Sequence, residues 1–334
     1  MATPENPDRG EESSASDELR VLARSALSIF AVPPNEDQLF SPLTEVIVRV
    51  SKPFTEICLA LRSNLTGLLS TVSMPYTMAN TSAHDSHWQR IRTAAGIRSL
   101  MLAAKPDETK EALELRRESV ALARAKPEMV DYVHSSEGRD ALIRDTLGFL
   151  ERLRSDESFA GAANELMLQG VVLCWGAFEV FGRDCFIAYL NAKPSRTLAL
   201  LADPGSKRRF EVSKVSLETL AEHNFDLSGR MGTLLAKQHD LSDVYSVKSV
   251  YQALFPDSGK LSEALNDPDL RLLSLRRNLI VHQRGVIDET YKFSSKCIQH
   301  VRERLRLSPS DLEVHLGTTI RAAVSILDSV STEK

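Results

Sequence analysis

Between Ala162 and Leu190 the chain carries Leu166, Val171, Val172, Leu173, Trp175, Phe178, Val180, Phe181, Phe186 and Ile187. Drawn as a helix, this segment has apolar side chains on nearly every side, so other helices must cover it. It predicts a central element of an all-α fold. The flanking sequence agrees. A 3.6-residue stripe of Leu19, Leu22, Ala26 and Ile29 starts at Glu18 and stops at Pro33-Pro34. Ser41-Pro42 suits a helix start, with apolar positions continuing to Leu69 and a kink or break at Pro53. Residues 71 to 85 read as a loop. Helical patterns then cover residues 88 to 104, 106 to 125 and 137 to 153, divided by proline or small polar residues. Beyond Pro194, a mixed region containing Lys207-Arg208-Arg209 in a loop leads through shorter helices to Phe255. Pro256 and Gly259 mark a turn, and helices follow over 268 to 284 and 310 to 329. The last is announced by Ser308-Pro309-Ser310-Asp311. No β-alternation competes with these patterns.

With 334 residues, the chain has room for two domains. Residues 1 to 17 are polar and predict a disordered tail. Residues 18 to 155 read as an N-terminal helical region whose chemistry is not legible. Its segment 107 to 126, rich in Glu, Arg, Ala and Leu, reads as a solvated face laced with i to i+4 ion pairs. Hydrophobic residues make up 43% of the chain, enough for a real core. The net charge of −4 draws the whole molecule neither to nucleic acid nor to an anionic membrane, so any RNA contact must be local. Cys58, Cys174, Cys185 and Cys297 lie far apart, without histidines at metal-binding spacing. They read as buried thiols, and neither a metal nor another cofactor is expected. No apolar run approaches the roughly 20 residues that span a bilayer, and the acidic, Ser-rich start is unlike a signal peptide. A cytoplasmic location without membrane contact is expected.

One helix concentrates polar groups in an apolar setting. It runs from Pro268 through Leu270, Arg271, Leu272, Leu273, Ser274, Leu275, Arg276, Arg277, Asn278, Leu279, Ile280, Val281 and His282 to Arg284. Gly285 suits the left-handed position after the last turn. At 100° per residue, Leu275, Asn278, Leu279 and His282 share a face, while Arg277 stands about 140° from His282. A buried polar group without a partner costs roughly 1–3 kcal/mol. Two readings follow: Asn278 and His282 bond to neighbouring helices while Arg277 reaches water, or the three form a site.

The wording of the segment carries more than its spacing. Arg277-Asn278-Leu279-Ile280-Val281-His282, followed by Gln283-Arg284-Gly285, resembles the Arg-Asn-x-x-x-His signature and trailing Gly-containing turn of HEPN domains. Val172-Leu173-Cys174-Trp175-Gly176-Ala177-Phe178-Glu179 is similar to the early helix of the same domains. The resemblance is to bacterial HEPN proteins of the RiboL-PSP type and covers residues 159 to 330. It implies a HEPN-like helical bundle and metal-independent cleavage of RNA at a composite site formed by two protomers of a homodimer. Arg277, Asn278 and His282 are the catalytic residues so implied. An arginine fork suits a scissile phosphate, and an imidazole can move a proton to or from the ribose or leaving group. The last turn of a helix carries partial negative charge, which suits an imidazolium acting as an acid. Asn278, one turn earlier, is expected to orient that ring.

Glu179 is the expected support for Arg277, against the alternative of a structural ion pair. Arg271, Arg276 and Arg284 are expected RNA contacts, with solvated surface as the plainer reading. HEPN toxins governed by a nucleotidyltransferase have tyrosine two residues after the histidine. Arg284 stands there in this chain, so that form of regulation is not expected. The function implied is an endoribonuclease serving defence or stress, with the N-terminal region as sensor or regulator and an unknown regulatory partner. The alternative is a non-catalytic HEPN module that binds RNA, a nucleotide or a protein; a purely structural adaptor is a third reading.

Overall fold

The computed structural model describes residues 19–209, 216–222, 224–238 and 241–332, without the side chains of 208, 209 and 238. The tail expected over residues 1–17 lies outside them. Among the described residues the regular elements are helices, joined by one isolated antiparallel bridge between Val286 and Arg304. The chain is therefore all-α. No single helix among them is long and apolar enough to cross a membrane.

The chain forms two compact units. The first takes the described residues up to Pro33 and Ser73–Ala163; the second takes Pro34–Val72 and the described residues from Asn164 onward. The sequence places a boundary at 155 to 159, close to the later division. Residues 34–72, however, group with the C-terminal part rather than with the rest of the N-terminal region.

Helix α1 (residues 19–26) belongs to the first unit. Next come two helices of the second unit, α2 (Glu36–Ile47) and α3 (Lys52–Val72). The start of α2 lies earlier than Ser41-Pro42 suggests. Asn35 accepts a hydrogen bond from the Gln38 amide at 3.2 Å, Glu36 and Asp37 occupy the first turn, and Pro42 sits inside the helix. Pro53 falls in the first turn of α3, where its missing N–H costs nothing.

The first unit resumes with α4 (Met74–Ser99), α5 (Lys110–His134) and α6 (Ser136–Ser155). Residues 71–85, read as a loop, are almost wholly helical. The Thr77 and Thr81 hydroxyls bond back to the carbonyls of Ser73 and Thr77, at 3.2 and 2.9 Å. Hydroxyl groups that favour turns are thus absorbed into the helix, while Ala79 and Ala83 are buried. α5 also outruns its expected end, with Pro127 inside it and a last turn at His134. The small residues Ala95, Ala121 and Ala125 form one cluster where α4 and α5 meet. Phe30, Leu147, Leu150 and Ala163 belong to another.

The long helix α7 (Glu157–Ala192) bears out its expected role in the core. Val171, Cys174, Trp175, Phe178, Phe181, Cys185 and Phe186 are buried. Its apolar surface is not covered all round, since Leu173 and Val180, seven residues apart, remain 48% and 40% exposed. After it come α8 (Thr197–Ala202), α9 (Pro204–Arg209), α10 (Leu217–Glu222), α11 (Met231–Gln238) and α12 (Val244–Leu254). Lys207-Arg208-Arg209, expected in a loop, closes α9. The remaining helices are α13 (Gly259–Leu265), α14 (Pro268–Gln283), α15 (Glu289–Ser295) and α16 (Pro309–Thr332). The start signal of α16 works as read: the Ser308 amide and hydroxyl donate to Asp311 Oδ2 at 2.9 and 2.6 Å. α16 packs against α2, α13 and α14, burying Leu312, Leu316, Ile320, Ala323, Ile326 and Leu327.

Two glycines of the second unit test its packing. A Cβ on Gly232 of α11 would lie 2.3 Å from the Ile187 carbonyl oxygen of α7, whereas one on Gly176 meets nothing within 4 Å. Gly232→Ala is expected to lower stability by about 1–3 kcal/mol through overpacking. Gly176→Ala is expected to be neutral or stabilising by up to about 1 kcal/mol. Urea unfolding of both variants checks the contrast.

Candidate functional site

α14 is fixed at both ends. Asp267 caps its start, accepting from the Asp269 amide at 2.9 Å, with Pro268 in the first turn. At its end both Arg284 (φ 53°) and Gly285 (φ 74°) are left-handed. The expectation for Gly285 is met, and Arg284 shares a conformation that disfavours a side chain. The Gly285 amide bonds back to the Leu279 carbonyl at 3.1 Å. The reversed chain is then tied to residues 302–305: Ile287 donates to Glu303, Arg302 to Ile287 and Leu305 to Gly285, all by backbone amides. His282 is thereby held in the last turn, at a pinned helix end.

The adjoining wall comes from α7. Trp175 is fully buried, and its indole Nε1 donates at 3.1 Å both to Glu179 Oε2 and to the Ser242 carbonyl. Glu179 Oε2 lies 3.8 Å from Arg277 Nη2. Arg277 Nη1 in turn donates to Asn278 Oδ1 at 3.0 Å. The Glu179 and Arg277 side chains are about three-quarters buried, at 26% and 24% exposure. The structure thus brings Glu179, Arg277 and Asn278 together at the rim of the core. Only one of the five guanidinium donors of Arg277 is used in a hydrogen bond among the described residues.

His282 is exposed and takes no hydrogen bond or ion pair among the described residues. Asn278 makes no hydrogen bond to the His282 ring among the described residues; the Asn278 carbonyl oxygen accepts from Arg277. Arg271 and Arg284 are exposed at opposite ends of α14, also without side-chain partners among the described residues. Arg276 is different. Expected among the RNA contacts, it is turned inward: Nη2 donates to Asp311 Oδ1 and Nη1 to His315 Nε2, both at 2.8 Å, and the side chain is 13% exposed. Its donors tie α14 to α16, which removes it from the solvent-facing set. Lys207 is exposed on α9, and the side chains of Arg208 and Arg209 lie outside the described residues.

The Arg276 cluster has its own electrostatics. His315 is fully buried. Burial and then the Arg276 charge push it down to about 4, with Asp311 opposing. It is neutral in the folded protein, and the Arg276 hydrogen bond places its proton on Nδ1. Burial acts to raise the Asp311 carboxyl, but hydrogen bonds from Ser308 and the Arg276 charge leave it below its ordinary value. Sequence reasoning missed both residues. Asp311 and His315 sit one turn apart on α16, yet nothing local marks Arg276 as their partner.

The unfolded chain binds a proton at His315 below about pH 6.5, which the folded chain refuses until about pH 4. Stability from this residue is therefore complete above pH 6.5 and lost as pH falls towards 4, by on the order of 3 kcal/mol. Melting curves from pH 7 to 4 should show a steeper decline for wild type than for His315→Gln. Parallel slopes would remove His315 as the cause. No known protein family, curated protein or solved structure matches this chain.

Proposed function

We propose that the chain is a metal-independent endoribonuclease of the HEPN type, working at a composite site between two copies of itself. The observation that carries this reading is the contrast along α14: Arg277 is steadied by Glu179 and Asn278, while the exposed His282 side chain has no partner among the described residues. In the reaction, the ribose 2′-hydroxyl attacks the adjacent phosphorus as its proton leaves. The bond to the 5′-oxygen breaks, that oxygen takes up a proton, and a 2′,3′-cyclic phosphate remains. Arg277 supplies the fork that binds the phosphate oxygens. His282 moves one of the two protons. Because Arg277 and His282 stand about 140° apart on one helix, a two-fold pairing supplies the arginine of one copy to the histidine of the other. Arg271 and Arg284 extend the contact along the RNA backbone. The free thiols of Cys58, Cys174, Cys185 and Cys297 fit a reducing, cytoplasmic setting, and a defence or stress role follows from the resemblance alone.

The second reading, a HEPN module that binds RNA, nucleotide or protein without cutting, is favoured by one contact. Arg277 already has a carboxylate within ion-pair distance, as a structural arginine would.

Labelled single-stranded RNA incubated with purified protein in excess EDTA separates the two. Cleavage leaving 2′,3′-cyclic phosphate ends is expected, falling about 10²–10⁴-fold in His282→Ala, from a protein that sediments as a dimer. RNA bound but left intact by wild type, with binding lost in Arg277→Ala, would establish the binding module instead. A monomer at every concentration would overturn the composite site.

A further inference from the structure

A cleft of about 650 Å³ opens in the first unit between α4 and α6. Arg144, Gly148 and Arg152 follow one another at four-residue intervals and so form one stripe of α6. On α4, Ser82, Ser86 and Arg90 repeat the same interval, and all six residues line the cleft. The space exists because the centre of the α6 stripe has no side chain. A Cβ on Gly148 would come within van der Waals distance only of Arg152 Nη1, at 3.9 Å.

The charges in the cleft are unevenly matched. Asp145 Oδ2 is held by His87 Nε2 at 2.8 Å and by Arg90 Nη2 at 3.0 Å, and the buried His87 ring stacks on Tyr132 at 4.9 Å. That network accounts for Asp145 and Arg90. Arg144 and Arg152 form no hydrogen bond or ion pair among the described residues, and only Asp85 is left to offset them. Arg152 instead lies over the Phe149 ring, 5.6 Å from its centroid. Two unpaired guanidiniums four residues either side of an open glycine form a fork for a phosphate group. The volume is far larger than a phosphate needs and falls in the range of small-molecule sites, roughly 300–1,000 Å³. The Arg152 guanidinium, backed by the Phe149 ring, offers a surface for an aromatic base, and the Gln89 amide in the cleft lining offers a donor and an acceptor.

We infer that this cleft binds a mononucleotide, with the phosphate between Arg144 and Arg152 and the base against the open face of the Arg152 guanidinium that Phe149 backs. The site lies in a different unit from α14, so it stands or falls independently of the ribonuclease reading.

Isothermal titration of the full chain with AMP, GMP, CMP and UMP, and separately with inorganic phosphate, tests the assignment. At least one nucleotide is expected to bind ten times more tightly than phosphate. Arg144→Ala and Arg152→Ala should each weaken it about tenfold, the loss of one charge-assisted contact. Both residues are exposed, so the unliganded variants are expected to melt as wild type does. Gly148→Leu fills the cleft and should abolish binding. The inference is overturned if no nucleotide binds at millimolar concentration, if phosphate binds equally well, or if the nucleotide affinity is unchanged in Arg144→Ala.

Discussion

A helix as apolar as α7 can be stable in water only under other helices, and each polar atom drawn in with it must be answered from nearby. The Trp175 indole illustrates both demands. Its ring supplies buried area, and its N–H must find acceptors. They are the Ser242 carbonyl and the Glu179 carboxylate, one turn along α7. Glu179 thus has its orientation set by the core while its charge faces Arg277 on α14. What fixes the arginine is therefore a chain of contacts reaching back to the largest fully buried side chain in the protein.

Two adjacent arginines in α14 show how one step around a helix divides duties. Arg276 points towards α16, where Asp311 and His315 take its donors. Arg277 turns towards α7 and, among the described residues, keeps most of its donors out of hydrogen bonds. A guanidinium held on both sides mainly fixes the register between two helices, whereas one braced on a single side remains available to a ligand. His315, kept neutral by burial beside Arg276, lets the first arrangement exist without a clash of like charges.

The helical class and the centrality of α7 were legible in the sequence because hydrophobic period and burial agree there. The start of α16 was legible because Ser308 and Asp311 act within four residues of each other. The misreadings share a cause. Residues 74–85 have the serine, threonines and asparagine of a loop, and the burial of Ala79 and Ala83 favours the helix over it. Pro42 and Pro127 were read as boundaries, yet both lie within helices. At the site, Arg277, Asn278 and Glu179 do come together. The inward turn of Arg276 stayed hidden because its partners lie 35 and 39 residues away, and the bond between Arg277 and Asn278 was invisible to a reading based on helix faces alone.

The placement of residues 34–72 affects how the protein comes to be. α2 lies against α16, so the second unit is made of two stretches of chain with most of the first unit between them. During synthesis α2 emerges long before α16, the helix packed against it. Leu43 and Val46, both buried in the finished fold, must wait for it while residues 73–163 are made. The first unit can close during that interval, but the second cannot until α16 leaves the ribosome. A protein built this way completes the unit that carries α14 last, and a nascent chain released early would lack the α16 partners of Arg276.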